Sequence, residues 1–342
     1  RGTASPCPPV SPRLRASTPP TKGALPRMSS PRIRTFALGD PDSGPYALAL
    51  GPDGALWCTL VHAGRIARLT PGGRLDEFAL DSADCGPAVI TPGPDGALWF
   101  TRMRDDRIGR IDTSGQSRSY ALPGTGAGSG SATPYGITAG PDGALWFTRA
   151  GADRIGRIGI GGEVDEFPLP GTGGFPAFIT AAGDSLWFTL NRAGALGRIT
   201  LDGRVTLYPL PVPECGPVGL TAGDDGALWF TEITAGRIGR ITADGGITEF
   251  PLPDPDCRPH AITAGPDGSC WFTQWATGRV ARLSPDGRVT EIPLPHPGSE
   301  PHGLAFGPDG ALYTALEHGG IARIEPAGPA SPDCALRATG LR

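Results

Sequence analysis

Lysine is almost absent from this chain: Lys22 is the only one among 30 basic residues, and the rest are arginine. Schiff-base chemistry is therefore excluded from everything downstream of that residue. The longest apolar runs fall well short of the roughly 18–20 residues that a spanning helix needs, so a transmembrane segment is not expected. The N-terminal stretch lacks the charged-then-apolar pattern of an export signal, so a cytoplasmic location is expected. A formal net charge of -4 offers nothing to a polyanion, and no nucleic-acid partner is expected. The seven cysteines are odd in number and contain no C-x-x-C, which argues against a disulfide framework and for reduced thiols. Cys85, Cys215 and Cys257 share one register before a proline, but Cys85 falls several repeats from the other two, and a thiol metal centre is not expected. There is no P-loop, no H-E-x-x-H and no nucleophile elbow.

What is abundant is glycine (53) and proline (39), placed at regular intervals along the chain. Regular placement argues for turn-rich β structure over disorder. Trp57, Trp99, Trp146, Trp187, Trp229, Trp271 and Tyr313 occupy one register, at spacings of 42, 47, 41, 42, 42 and 42. A period of about 40–45 with strand-like content is the mark of a β-propeller. The copy at residues 259–295 shows the unit clearly. H-A-I-T-A-G, S-C-W-F-T-Q, G-R-V-A-R-L and R-V-T-E-I-P-L read as four short strands, separated by P-D-G-type turns. The large rings are expected to pack between blades.

Six fourth strands are present, and after the seventh third strand the chain continues as E-P-A-G-P-A-S-P, which cannot be one. The missing copy stands at the other end, where residues 33–38 match T-E-F-P-L. The sequence thus predicts an all-β, seven-bladed propeller of four-stranded antiparallel blades over residues 33–325, its last blade closed by the N-terminal strand. Residues 1–32, rich in Pro and Arg, are expected to be disordered, with Met28 as the native start. Residues 326–342 are expected to form a flexible tail, and the Gly/Ser-rich insertion at 123–133 a mobile loop.

Alternating strands put the fourth-to-first connections and the second-to-third loops on one face. The residue after each first-strand proline should then approach the axis: Tyr46, Ala88, Tyr135, Ala177, Val218, His260 and His302. Two histidines on adjacent blades stand out. Glu300 comes two residues before His302, and Glu317 follows the second strand of the last blade on the same face. Trp275, outside the tryptophan register, is a candidate binding surface, and Tyr46 a second. His62, His296 and His318 read as exposed loop residues, with His318 able to tune its neighbour Glu317. Glu232 and Gln274 share a post-strand position and read as secondary. Two carboxylates with room for water suit Mg²⁺, although two His plus Glu would also satisfy Zn²⁺. The chemistry left open is metal-assisted proton abstraction, with a neutral histidine as base.

At these residues the sequence resembles the virginiamycin B lyase (streptogramin B lyase) family. The likeness spans about residues 33–324 and includes R-P-H-A-I-T-A-G at 258–265, S-E-P-H-G at 299–303, and Glu317 four residues after Tyr313. The resemblance implies His302 as general base, His260 on the substrate, and Glu300 and Glu317 on Mg²⁺. It implies a monomer that linearises cyclic depsipeptides, the type B streptogramins, by elimination at the ester linkage. Gln274 and Tyr313 depart from the repeat pattern without touching those four positions. Two alternatives stand beside it: a propeller that only binds a protein or peptide across this face, and a metal-dependent lactonase.

Overall fold

The structure, a computed structural model, describes residues 31–124, 132–296 and 298–325. The regions expected to be disordered or flexible at 1–30 and 326–342, and the core of the 123–133 insertion, lie outside the described residues. Among the described residues, twenty-eight strands form seven four-stranded antiparallel sheets. They make a seven-bladed β-propeller. Blade 1 runs Pro45–Leu50, Leu56–Leu60, Arg65–Leu69, Leu75–Ala79 from the axis outward. Blade 5 runs Pro217–Ala222, Leu228–Glu232, Arg237–Ile241, Ile247–Pro251, and blade 6 Pro259–Ala264, Cys270–Gln274, Arg279–Leu283, Val289–Pro293.

Among the described residues blade 7 has three strands of its own, Pro301–Phe306, Leu312–Leu316 and Gly320–Glu325. Its outer position is filled by Arg32–Phe36, which pairs with Gly320–Glu325 from Arg32 opposite Glu325 to Phe36 opposite Ile321. The strand begins one residue before the expected boundary and ends two residues earlier, with Leu38 buried just beyond it. Closure joins the two ends of the propeller through one ladder and leaves no open gap in the ring.

The repeat is legible in its hydrogen bonds. In blade 1 the aspartate of the P-D-G turn accepts from the Ala55 amide at 3.2 Å, the Trp57 indole at 3.1 Å and the Arg68 guanidinium at 2.7 Å. One carboxylate thus ties turn, second strand and third strand together, and Gly54 takes the positive φ of 72° that the turn requires. Among the described residues, seven apolar clusters fill the seams between neighbouring blades. The second strands are buried on both faces, which explains their near-continuous apolar runs. Cys58, Cys85, Cys215, Cys257 and Cys270 are buried free thiols. Among the described residues no helix is long and apolar enough to cross a membrane.

Candidate active site

Each innermost strand carries the same irregularity just after its proline. In blade 6, Pro259 pairs with Gln274 but the next pair is Ile262 with Phe272; in blade 7, Pro301 pairs with Leu316 and then Leu304 with Thr314. The extra residue is a bulge, which re-aims side chains away from the regular pleat. His260 and His302 sit inside these bulges, and their rings meet edge to face at 5.0 Å between centroids. Both are buried, and Nδ1 of each has no hydrogen-bond partner among the described residues.

A blade seam holds His260 in place. The Thr231 hydroxyl of blade 5 accepts from the Gly219 amide at 2.8 Å and donates to the His260 carbonyl at 2.8 Å. Gly219 itself comes so near blade 6 that a β-carbon there would meet the His260 oxygen at 2.4 Å. The same bond recurs from Thr148 to Ala177 and from Thr189 to Val218. It is a property of the repeat that here happens to fix a histidine.

His302 Nε2 lies 2.5 Å from Oε2 of Glu317, and the other oxygen of Glu317 lies 3.1 Å from His62 Nε2. These bonds, His302 first, hold the Glu317 carboxyl at about 2 against the opposing effect of burial, so it is ionised at neutral pH. Burial, and then the neighbouring His302, push His260 down to about 3, so it is a neutral imidazole. Glu300 and Glu317 are joined through the backbone, the Glu317 amide donating to the Glu300 carbonyl at 3.2 Å. Glu300 is half-buried and has a positive φ of 45° immediately before Pro301. The same position is glycine in three blades, at Gly44, Gly86 and Gly216. A carboxylate kept where glycine is easier is the kind of local strain that collects at functional sites.

Two further residues marked in the sequence, Tyr46 and Trp275, face His302 at the axial mouth of the propeller. Tyr46 lies across His302 at 4.6 Å between ring centroids, and its hydroxyl bonds that of Tyr135. Burial, with Tyr135 and Glu317 nearby, raises the Tyr46 phenol well above its ordinary range. Trp275 opens a single 3-10 turn, Trp275–Thr277, and its ring lies 6.5 Å from that of His302. One expectation needs correction. His318 faces Glu300, at 3.9 Å, and not Glu317. His62 is exposed but part of the site, bridging Glu317 and Arg104. Glu232 and Gln274 close their second strands and are fully buried, so neither reaches the mouth. Tyr135 stands at the axis as its register predicts, and Phe178, which the register does not mark, completes the aromatic lining: Phe178 meets Tyr135 at 5.5 Å and His260 at 6.1 Å.

A hard divalent cation fits this donor set. Glu317 is ionised, both carboxylates are partly open to water, and their backbones are tied side by side. Mg²⁺ needs only one or two protein carboxylates and keeps water in its remaining positions. Among the described residues no group of three or more His, Cys, Asp or Glu is placed to hold a metal ion, so a cation here would rest on these two carboxylates and water.

Residues 31–324 match the model of the virginiamycin B lyase family. The chain belongs to that family. The virginiamycin B lyase of Saccharopolyspora erythraea is 63% identical over 41 residues, and that of Streptomyces coelicolor 64% over 39. These local matches cover 12% and 11% of this chain, and span only 14% and 13% of the length of those relatives. Solved structures agree over far more of the chain. A streptogramin B lyase is 40% identical with a TM-score of 0.82, covering 86% of this chain and 98% of its own. A catalytically inactive histidine-to-alanine virginiamycin B lyase from Staphylococcus aureus, with quinupristin, is 39% identical at the same TM-score, covering 86% and 99%. A putative gluconolactonase at 19% identity and a TM-score of 0.55 shares the fold alone.

Proposed function

We propose that this virginiamycin B lyase family member is a Mg²⁺-dependent carbon–oxygen lyase that linearises cyclic depsipeptides of the type B streptogramin class. The observation that carries this reading is the convergence of His260 and His302, 5.0 Å apart, with Glu317 on His302 and Glu300 tied beside it. Support comes from the structural relative in which a catalytically inactive virginiamycin B lyase accompanies quinupristin.

The substrate residue that matters carries the ester oxygen on its β-carbon. His302 removes its α-proton; that electron pair forms the Cα=Cβ double bond, the Cβ–O bond breaks, and the ester oxygen leaves as a carboxylate. No water is added. Glu317 orients the His302 ring: in the tautomer whose Nε2–H donates to Glu317, Nδ1 carries the free lone pair. His260, held neutral, offers the substrate a hydrogen bond without charge. Tyr46 and Trp275 give the macrocycle flat apolar surfaces. Glu300 and Glu317 would hold Mg²⁺, whose contribution when bound is to stabilise negative charge on a substrate carbonyl oxygen. In this reading the protein acts as a monomer.

The test is the mass of the product formed from a type B streptogramin, with and without a chelator. A product equal in mass to its substrate, formed only when metal is present, supports the lyase. A product heavier by one water makes the protein a lactonase, and binding without turnover makes it a recognition module. Glu300→Gln and Glu317→Gln should each weaken Mg²⁺ binding, measured directly by titration, while leaving the propeller folded.

A further inference from the structure

On the same face as the histidines, a groove runs between blades 5 and 6. Its volume is about 370 Å³, and it is lined by Ile233, Thr234, Pro255, Asp256 and Arg258. That is within the range of small-ligand sites, roughly 300–1,000 Å³, and too small for a whole macrocycle. The groove adjoins the mouth through a shared wall. The Arg258 guanidinium stands 5.6 Å over the Trp275 ring, and the Trp275 amide donates to the Arg258 carbonyl at 3.1 Å. Trp275 in turn faces His302 at 6.5 Å.

Arg258 occupies the position before Pro259 that Glu300 occupies before Pro301. It too has a positive φ, 51°, where blades 1, 2 and 5 use glycine. The two blades that supply histidines to the axis are thus the two that place a charged side chain at this strained position. Among the described residues Arg258 forms no ion pair or hydrogen bond through its side chain, only the contact with Trp275. Arg104, by contrast, is already bonded to His62.

We propose that this groove is the subsite for the acid half of the opened ring, and that Arg258 pairs with the carboxylate which the elimination releases. The inference rests on the lyase reading. Breaking Cβ–O converts a neutral ester into a carboxylate plus an alkene, so an anion appears that the intact substrate lacks. Across Trp275 it meets an uncommitted guanidinium, whose planar fork matches a carboxylate in two hydrogen bonds. Asp256 in the same lining opposes the pairing, which gives the proposal a second sign to test.

The experiment measures equilibrium binding of two ligands, the isolated linear product and the intact cyclic depsipeptide, the latter on a His302→Ala background to prevent turnover. Arg258→Ala should weaken product binding about tenfold, the loss of one charge-assisted pair, with Arg258→Lys recovering part of it. Arg258→Gly, which relaxes the backbone, should lose affinity equally, separating charge from strain. Asp256→Asn should tighten product binding. Affinity for the intact ring should change less than about threefold in all four variants. Unaltered product affinity in Arg258→Ala and Arg258→Gly, or equal loss for ring and product, overturns the subsite while leaving the lyase reading intact. Failure of the His302→Ala protein to bind the ring at all overturns that reading, and the subsite with it.

Discussion

The hydroxyl of Thr231 on blade 5 donates to the carbonyl of His260 on blade 6, so a seam bond repeated from blade 1 to blade 5 sets the height of one candidate histidine. Thr231→Val removes that donor and leaves a buried carbonyl unpaired, at a cost of about 1–3 kcal/mol. Thr148→Val removes the equivalent bond to Ala177, where no candidate site residue is held. Both variants should lower the melting temperature by similar amounts. Only Thr231→Val should also raise KM several-fold, because only there does the released backbone carry His260. Equal kinetic effects from both would mean that the bond serves stability alone.

Glu232 gives a stability dependence on pH that is separate from the mouth. It is fully buried in blade 5, beside Glu249 and the Cys215 thiol. Burial, and then the nearby Glu249 carboxylate, raise its carboxyl from 4.5 to about 7, against the pull of Arg237. The folded state therefore binds this proton more tightly than the unfolded chain does. The contribution is fully present below about 4.5 and is lost as pH rises towards 7. In blade 6 the same position is Gln274, which donates to Glu291 at 2.8 Å. Glu232→Gln should copy that arrangement and stabilise the protein by roughly 1–3 kcal/mol at pH 8, with little gain at pH 4.5. Denaturant titrations of both proteins at the two pH values decide it, and an equal gain at both would sink the assignment.

The parts of the site that sequence exposed are those the repeat controls. His260 and His302 could be placed together because one register sets the axial position in every blade, and the bulges only sharpen where they point. Glu300 and Glu317 followed from the same topology. What stayed hidden depends on side chains that cross the closing seam. His62 belongs to the second-to-third loop of blade 1 and meets Glu317 from 255 positions away, across the seam between blades 7 and 1. His318 was expected on Glu317 because they are adjacent, but successive residues of a turn point apart, and it faces Glu300. Glu232 and Gln274 read as secondary from the sequence, and both end their second strands fully buried, because the regular pleat turns that position inward.

Ring closure itself can be tested by truncation. Deleting residues 1–27 should leave solubility and melting temperature close to those of the full chain. Deleting through residue 40 removes Arg32–Phe36 and bares the edge of Gly320–Glu325, which pairs with it along five positions. An unpaired edge invites intermolecular pairing, so the longer deletion should lower the melting temperature and aggregate. Matching behaviour of the two truncations would show that blade 7 does not depend on the N-terminal strand.

The two histidines share a register but not an environment, and that difference predicts different kinetic faults. His302 is bonded to the ionised Glu317, which orients its ring, whereas His260 has no such partner and is held neutral by burial, then by His302. A base needs a defined direction for its lone pair, and only His302 has one imposed on it. His302→Ala should therefore abolish turnover while substrate still binds within a few-fold of wild type. His260→Ala should raise the substrate Kd by about tenfold, the loss of one or two hydrogen bonds, with turnover surviving at saturation. Measuring kcat alongside an independent Kd for each variant separates the roles. A His302→Ala enzyme that eliminates at near wild-type kcat would remove it as the base and shift attention to His260.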